Sequence, residues 1–330
     1  MTKIITGYVV SILLWLLLRL IFFDQLWPLA LANTVAEYLF VPLPGLLIAS
    51  LWPVRWPALA QLSLPLIIFG LLFGPLFWPP PRRPIEVEDE RLITVMSFNL
   101  LARNRSYQAI AATIQAAGPD LVGLQELRPH SAQELVARLE ADYPYHTLQP
   151  LAPGRSAGLL SRYPIEQVEW FALPPLDIAL HATVRIEGEP VHVLVVHLSP
   201  NNFFDHPASE FIPLVKERYG RRAAETRRLQ QKIKGLTGPV LLMCDCNMTD
   251  TSEAYARLTT VLQDSFRQAG WGFGHTFQPA IAPFPIQRID YVWHSEAFQP
   301  VRAYVGQDGG SDHLPVVAQF RLEQRRKIGR

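Results

Sequence analysis

Cysteine is nearly absent. Two residues in 330 exclude a disulfide-built scaffold and a four-cysteine zinc site. They sit as Cys244-Asp245-Cys246, where so short a loop is expected to strain a disulfide, so both read as buried filler thiols. Net charge is missing too: 30 Lys and Arg stand against 29 Asp and Glu. That removes the bulk electrostatic argument for a nucleic-acid coat protein. No internal repeat or low-complexity tract is present. With 49% hydrophobic and 18% charged residues, the chain is too apolar for a disordered tail and too mixed for a pure membrane bundle.

The scarcity of charge is uneven. Residues 1–80 carry only Lys3, Arg19, Asp24, Glu37 and Arg55. Three apolar runs lie there, at 4–23, 29–51 and 58–78. The first is long enough for a helix across a hydrocarbon core of about 30 Å, with Arg19 placed to snorkel. Glu37, Pro42 and Pro44 interrupt the second, which suits a kinked or re-entrant segment. The third contains Pro65 and Pro75 but no charge. Trp52, Trp56 and Trp78 stand at run ends, where interfacial aromatics belong. A cleaved leader is disfavoured, because more apolar runs follow and no small-residue cleavage site stands near position 25. The division expected is a transmembrane region at 1–80, a stiff Pro-rich linker at 81–91, a catalytic domain at 92–322 and a basic tail at 323–330.

Beyond the linker the pattern changes to short strands and helices. Strands are predicted at 92–99, 121–125, 159–161, 182–186, 191–197, 239–243, 289–293 and 316–320. Helices are predicted at 107–117, 131–140 and 221–234. Strands without a steady helix between each pair argue for α+β, two packed sheets with helices outside, over a doubly wound parallel sheet.

Polar residues recur where the apolar strands end: Asn99, Gln125-Glu126, His197, Asp245-x-Asn247 and Asp290, with Ser311-Asp312-His313 before the last strand. Alternation puts Asp245 and Asn247 on one face and the two cysteines on the other. Buried carboxylates need a partner or a metal. Carboxylate and amide oxygens without a thiolate cluster suit a hard cation such as Mg²⁺, or Mn²⁺.

Six segments in this order, SFNLL at 97–101, PDLVGLQE at 119–126, VVHLSP at 195–200, CDCN at 244–247, RIDYVW at 288–293 and SDHLPV at 311–316, resemble the endonuclease/exonuclease/phosphatase superfamily, the deoxyribonuclease-I-like proteins. The resemblance spans about 92–320. It implies a four-layer α/β/β/α sandwich and hydrolysis of phosphoric esters. It also implies roles. Asn99 and Glu126 match the residues that hold the divalent cation, and Asp312 a carboxylate near it. Asp245 and Asn247 match the pair orienting the attacking water and the scissile phosphate. His313 matches the histidine at the phosphate, Asp290 its carboxylate partner, and His197 a second phosphate-facing position. The usual Gly-Asp-Phe-Asn is here Cys-Asp-Cys-Asn, which alters packing on the face away from the chemistry.

The function expected is that of a membrane-anchored, Mg²⁺-dependent phosphoesterase, with a phospholipid-type ester favoured over nucleic acid. A nuclease is the alternative within the class; a catalytically inactive membrane-tethered binding protein is the alternative outside it. The partners expected are a lipid bilayer through 1–80 and a phosphate-ester substrate. A multi-pass topology of three spans with the catalytic domain outside the cytoplasm follows if Lys3 and Arg55 face inside, although Arg82 and Arg83 pull the other way. Two further features bear on substrate. The basic stretch 216–234 reads as a solvated helix face or an anionic-substrate surface. Phe203, Phe204, Phe211 and Ile212, just after His197, read as a lid, a membrane-touching patch or core packing.

Overall fold

A computed structural model describes residues 1–52, 54–78, 92–148, 157–173, 177–203 and 206–322. The predicted linker at 81–91, the basic tail at 323–330 and Phe204 lie outside the described residues. The soluble region holds two six-stranded mixed sheets. The first runs β11 (Phe298–Val305), β12 (Val316–Leu322), β1 (Ile93–Asn99), β2 (Leu121–Gln125), β4 (Gly158–Ser161), β3 (Tyr145–Leu148). The second runs β5 (Ile165–Leu173), β6 (Asp177–Ile186), β7 (Glu189–His197), β8 (Val240–Asp245), β10 (Asp290–His294), β9 (Gln263–Asp264).

Each sheet has one parallel pair at its centre, β1 with β2 and β7 with β8. A parallel pair needs a crossover, and helices supply both. They are α5 (Tyr107–Ala117) and α7 (Phe211–Lys234). Alternation then divides the core. On β1, Ile93 and Val95 face the space between the sheets, while Met96 and Phe98 face α5 and α6 (Pro129–Leu139). On β8, Leu241 and Met243 face inward, while Leu242 and Cys244 face the outer layer that α7 and α8 (Glu253–Leu258) cover. The result is the expected α/β/β/α sandwich. Gly123 permits close approach of the sheets: an added Cβ would lie 2.6 Å from that of Met243.

Cys244 and Cys246 are buried, as expected, but joined as a disulfide, which corrects the reading of two thiols. Asn247 has φ of +49°, so the chain is already leaving the strand. The two Cα atoms lie 5.1 Å apart, inside the range a disulfide spans.

The N-terminal region is helical: α1 (Thr2–Phe22), α2 (Trp27–Thr34), a 3₁₀ turn (Ala36–Phe40), α3 (Pro42–Leu51) and α4 (Trp56–Phe73). α1 and the Trp56–Leu76 segment are long and apolar enough to cross a membrane. The expected second run is broken: Trp27–Thr34 and Ala36–Leu51 meet at a 77° bend. Arg19, expected to snorkel, instead donates from Nε to Thr251 O at 3.0 Å.

Candidate active site

The site forms because both parallel pairs end at the same edge of the sandwich. In one sheet Asn99 is level with Gln125. In the other His197 is level with Asp245, and Asp245 with Asp290. Asn99 and Asp245 fall on the inward faces of β1 and β8, so they meet between the sheets. Asn99 Nδ2 donates to Asp245 Oδ2 at 2.7 Å and to Glu126 Oε1 at 3.2 Å. By strand alternation Glu126 would point outward. Its φ of +55° turns it back, and Ala102 N donates to its Oε2 at 2.8 Å. Non-glycine residues with positive φ cost on the order of 1 kcal/mol or more and concentrate at functional sites. Here Glu126, Asn247 and Leu101 are all of that kind.

Asp245 Oδ2 is the focus of the cluster. His197 Nε2 lies 3.4 Å from it and His313 Nε2 3.9 Å. Asp245 Oδ1 accepts from Asn247 N at 3.1 Å, and Asn247 Nδ2 donates to Leu198 O at 3.0 Å. On its other side the His313 ring meets Asp290, Nδ1 to Oδ2 at 2.8 Å. Thr276 Oγ1 donates to the same oxygen at 2.6 Å. Burial alone would lower the His313 pKa, but the carboxylates of Asp290 and Asp245 outweigh it and raise it to about 10. Burial pushes the Asp290 carboxyl up, against the pull of the imidazolium.

All eight residues expected from the sequence are thus brought to one edge. Asp312 sits next to His313, and burial with repulsion from Glu126 pushes its carboxyl up, against the pull of His313. Its Oδ1 is buried and has no hydrogen-bond partner among the described residues. Two mutually repelling carboxylates with one unsatisfied oxygen form a donor set that a hard cation fits. The Asn99 amide has its NH₂ toward Glu126 and Asp245 and its Oδ1 on Leu101 N at 2.9 Å, so ligation through oxygen requires the amide to turn over. Asp245, Asp290 and His313 also bring possible ligand atoms within 4.8 Å of one another. There Asp290 Oδ2 is taken by His313 and Thr276, while its Oδ1 is buried without a hydrogen-bond partner among the described residues.

Three supporting residues were not singled out from the sequence. Thr276 fixes Asp290. Asn201 Nδ2 donates to Asn247 O at 3.3 Å. Asp250 binds Arg288 at 3.0 Å and Arg267 at 2.9 Å behind the site. A lone Thr, Asn or Asp in a loop carries no periodic signal that would have marked it. Arg288, read as structural, pairs with Asp264 and Asp250 and leaves Asp290 to His313. Of the apolar residues after His197, Phe203 is buried and meets the rings of Phe211 and Tyr219, and Phe211 also meets Trp27. Ile212 remains exposed.

Two mixed sheets between helices, with histidine–carboxylate chemistry at one shared edge, define a class of phosphoesterase-type hydrolases. The model of the Endonuclease/Exonuclease/phosphatase family matches residues 96–313, and the chain belongs to that family. Among solved structures it is similar to an endonuclease/exonuclease/phosphatase from Beutenbergia cavernae, at 24% identity over 70% of this chain and 72% of that one, TM-score 0.56. It is also similar to D. rerio TDP2 complexed with single-strand DNA product, at 18% identity over 70% and 99%, TM-score 0.56. A third is the Bacteroides thetaiotaomicron mannosyl-6-phosphatase Bt3783, at 19% identity over 69% and 99%, TM-score 0.54. At these identities the likeness is one of fold. No curated protein matches the chain.

Proposed function

We propose that the chain is a membrane-anchored, Mg²⁺-dependent phosphoester hydrolase acting on a phospholipid-type phosphodiester. Glu126 and Asp312, with Asn99 if its amide turns over, would hold the cation, which when bound supplies positive charge against the phosphate oxygens. The protein's own residues do the rest. Asp245 accepts the proton of the attacking water, oriented with Asn247. His313, held charged by Asp290, faces the phosphate with Nε2, and His197 faces it from the neighbouring strand.

One observation carries the lipid reading: the loops bounding the site are bonded to the apolar region. Thr249 and Thr251 hydroxyls donate to Asn33 O at 3.3 and 2.5 Å, and Glu253 N donates to Asp24 Oδ2 at 2.8 Å. On the other rim Tyr38 OH donates to Ile286 O at 2.7 Å, and Glu37 lies 2.7 Å from His275. These loops follow Asn247 and precede Asp290, so a membrane around the helices lies next to the opening.

Helix direction supports a topology. Thr6 Oγ1 donates to Gln61 Oε1 at 2.8 Å, so α1 and α4 begin together. Both also end at the catalytic domain: Arg19 reaches Thr251, and Arg267 Nη2 reaches Leu72 O at 2.9 Å. Two parallel helices need a return between them, and Ala36–Leu51, roughly 24 Å as a helix, supplies it. Three crossings put the N-terminus and the catalytic domain on opposite sides. Lys3 and Arg55 share the far end, which the positive-inside rule places in the cytoplasm. The disulfide suits a catalytic domain in an oxidising compartment.

The full chain in nanodiscs, given phospholipid and single-strand DNA with and without Mg²⁺, tests this reading. The expected result is chelator-sensitive phospholipid hydrolysis, reduced by roughly two or more decades in Glu126→Ala. Full activity in excess EDTA refutes the metal. Cleavage of DNA with no action on any phospholipid refutes the lipid reading and favours the nuclease one, to which the DNA-bound TDP2 fold lends its support.

A further inference from the structure

A cavity of about 390 Å³ opens beside the catalytic cluster, between the segment at 24–34 and α7. Trp27 and Thr34 form one wall; Lys216, Gly220, Arg222 and Arg227 belong to the other. Its volume is in the range of small-ligand sites, about 300–1,000 Å³. Lys216, Gly220, Ala223 and Arg227 repeat at helical spacing, so α7 presents one face to it.

The charges there are unbalanced. Arg222 is only 2% exposed; its guanidinium bonds Asn201 Oδ1 and sits 4.7 Å above the Tyr219 ring. Lys216 and Arg227 are exposed, and among the described residues neither has an ion-pair partner. Elsewhere on α7, Arg221 pairs with Glu217 and Lys232 with Glu169, while Arg228 and Lys234 stand outside the cavity without an ion-pair partner among the described residues. The cavity's two acids are engaged. Asp24 accepts from Asn33 Nδ2 and Glu253 N, both at 2.8 Å. Glu253 Oε1 accepts from Arg257 at 2.7 Å. Three cations thus line a partly buried space against one carboxylate charge, that of Asp24, whose hydrogen-bond donors are neutral. A phosphate suits such a set, with Arg as a fork and Lys as a point charge.

Position selects the source of the phosphate. Next to the cavity, Ala30 and Val215 pack with Phe203 and Tyr219, and Trp27 meets Phe211 edge-on, so the apolar helices adjoin one wall. Trp at such a boundary suits a headgroup level. We propose that the cavity binds the headgroup of an anionic phospholipid, its phosphate held by Lys216, Arg222 and Arg227. This rests on the membrane reading above but not on catalysis. Asn201 joins Arg222 to the carbonyl of Asn247, so the guanidinium that would hold the headgroup stands two hydrogen bonds from Asn247.

Gly220 offers a direct test, because a Cβ there meets nothing within 4 Å. Gly220→Trp should fill the cavity without displacing the backbone. Full-length protein is reconstituted in nanodiscs of phosphatidylglycerol and phosphatidylcholine, and retained lipid is counted by native mass spectrometry. The expected result is a preference for phosphatidylglycerol that falls roughly tenfold or more in Gly220→Trp and in Lys216→Gln/Arg227→Gln. Arg228→Gln/Lys234→Gln removes two charges of the same helix outside the cavity and should leave the preference within about twofold. An unchanged preference in Gly220→Trp overturns the proposal, as does an equal loss in the control pair. If Gly220→Trp fails to fold, the Lys216/Arg227 pair decides alone. Inorganic phosphate is the second arm: displacement of lipid at micromolar phosphate would assign the site to a soluble ion instead. Release of the protein from membranes by alkaline carbonate would sink the membrane reading itself, whereas insertion without lipid preference sinks only the cavity.

Discussion

Nε2 of His313 is the one ring nitrogen of that residue left to face the opening, because Nδ1 is held by Asp290. A pKa of about 10 keeps the ring charged across the neutral range. The folded value is raised above the ordinary 6.5, so the histidine's contribution to stability is complete below about pH 6.5 and is lost as pH rises through about 10. Activity should show its basic limb in the same region. In Asp290→Asn that limb should move to lower pH, and kcat should drop by about two decades. His313→Ala and Asp290→Asn should be non-additive, since they remove one unit. A double-mutant loss equal to the product of the single losses, or a basic limb unmoved in Asp290→Asn, would show that the 2.8 Å contact has no role in the chemistry. The disulfide is a residue-scale lesson of another kind. Spacing alone argued against Cys244–Cys246, but the two Cα atoms lie 5.1 Å apart, inside the range a disulfide spans.

Elements were legible where burial was one-sided. The spans of α5 and β2 match the periodicity residue for residue, because Gly118 with φ of +57° ends the helix and the strand beyond it is wholly buried. β5 and β11 were not seen. β5 has exposed residues along most of its length and reads Ile-Glu-Gln-Val-Glu, without apolar alternation. β11 contains Pro300, tolerated because the register shifts between Pro300 and Arg302 and the strand lies at the sheet edge. The strand-end site residues were legible as a set because chain ends of adjacent strands must meet. The Asp250 network was not, since its partners Arg267 and Arg288 come from separate elements. Burial raises the Asp250 carboxyl, but Arg288 and Arg267 outweigh it and hold it below its ordinary range. Its folded pKa is depressed, so its stabilisation is present above the unfolded value of about 3.9 and is lost as pH falls through the lower folded value. Asp250→Ala should destabilise the domain by about 3 kcal/mol at pH 7, because the buried Arg288 guanidinium and the half-buried Arg267 one lose a shared partner. Denaturant unfolding measures this; a change under about 1 kcal/mol would mean that Asp264 alone balances Arg288.

At the scale of the whole molecule, the proposed membrane anchoring turns on which side the catalytic domain would occupy. Two spans would return the chain to the side of its N-terminus, and three would not. Helix direction is the deciding quantity, because α1 and α4 start together at Thr6 and Gln61 and finish together at the domain. The broken middle segment does not weaken this. α2 lies against α7 and the loop at 249–251, with its Asn33 carbonyl accepting two threonine hydroxyls there. Only the stretch after the 77° bend leads away from the domain. In the proposed three-span arrangement Trp52 and Trp56, 90% and 75% exposed, would lie at the far interface, and Trp78, 77% exposed, at the near one. Charge is divided: Lys3 and Arg55 gather at the far end and Asp24 and Glu37 at the near end, but Arg19 also lies at the near end, and Arg82 and Arg83 follow it in sequence. An engineered Glu140→Cys on the exposed end of α6 provides the measurement, since Cys244 and Cys246 are buried in a disulfide and will not react. A membrane-impermeant maleimide applied to intact cells should label Cys at 140 fully, and a second cysteine in place of Thr2 only after lysis. The reverse pattern would place the catalytic domain in the cytoplasm. Labelling of both positions in intact cells would leave α1 and α4 on one side of the bilayer and rule out the three-crossing arrangement.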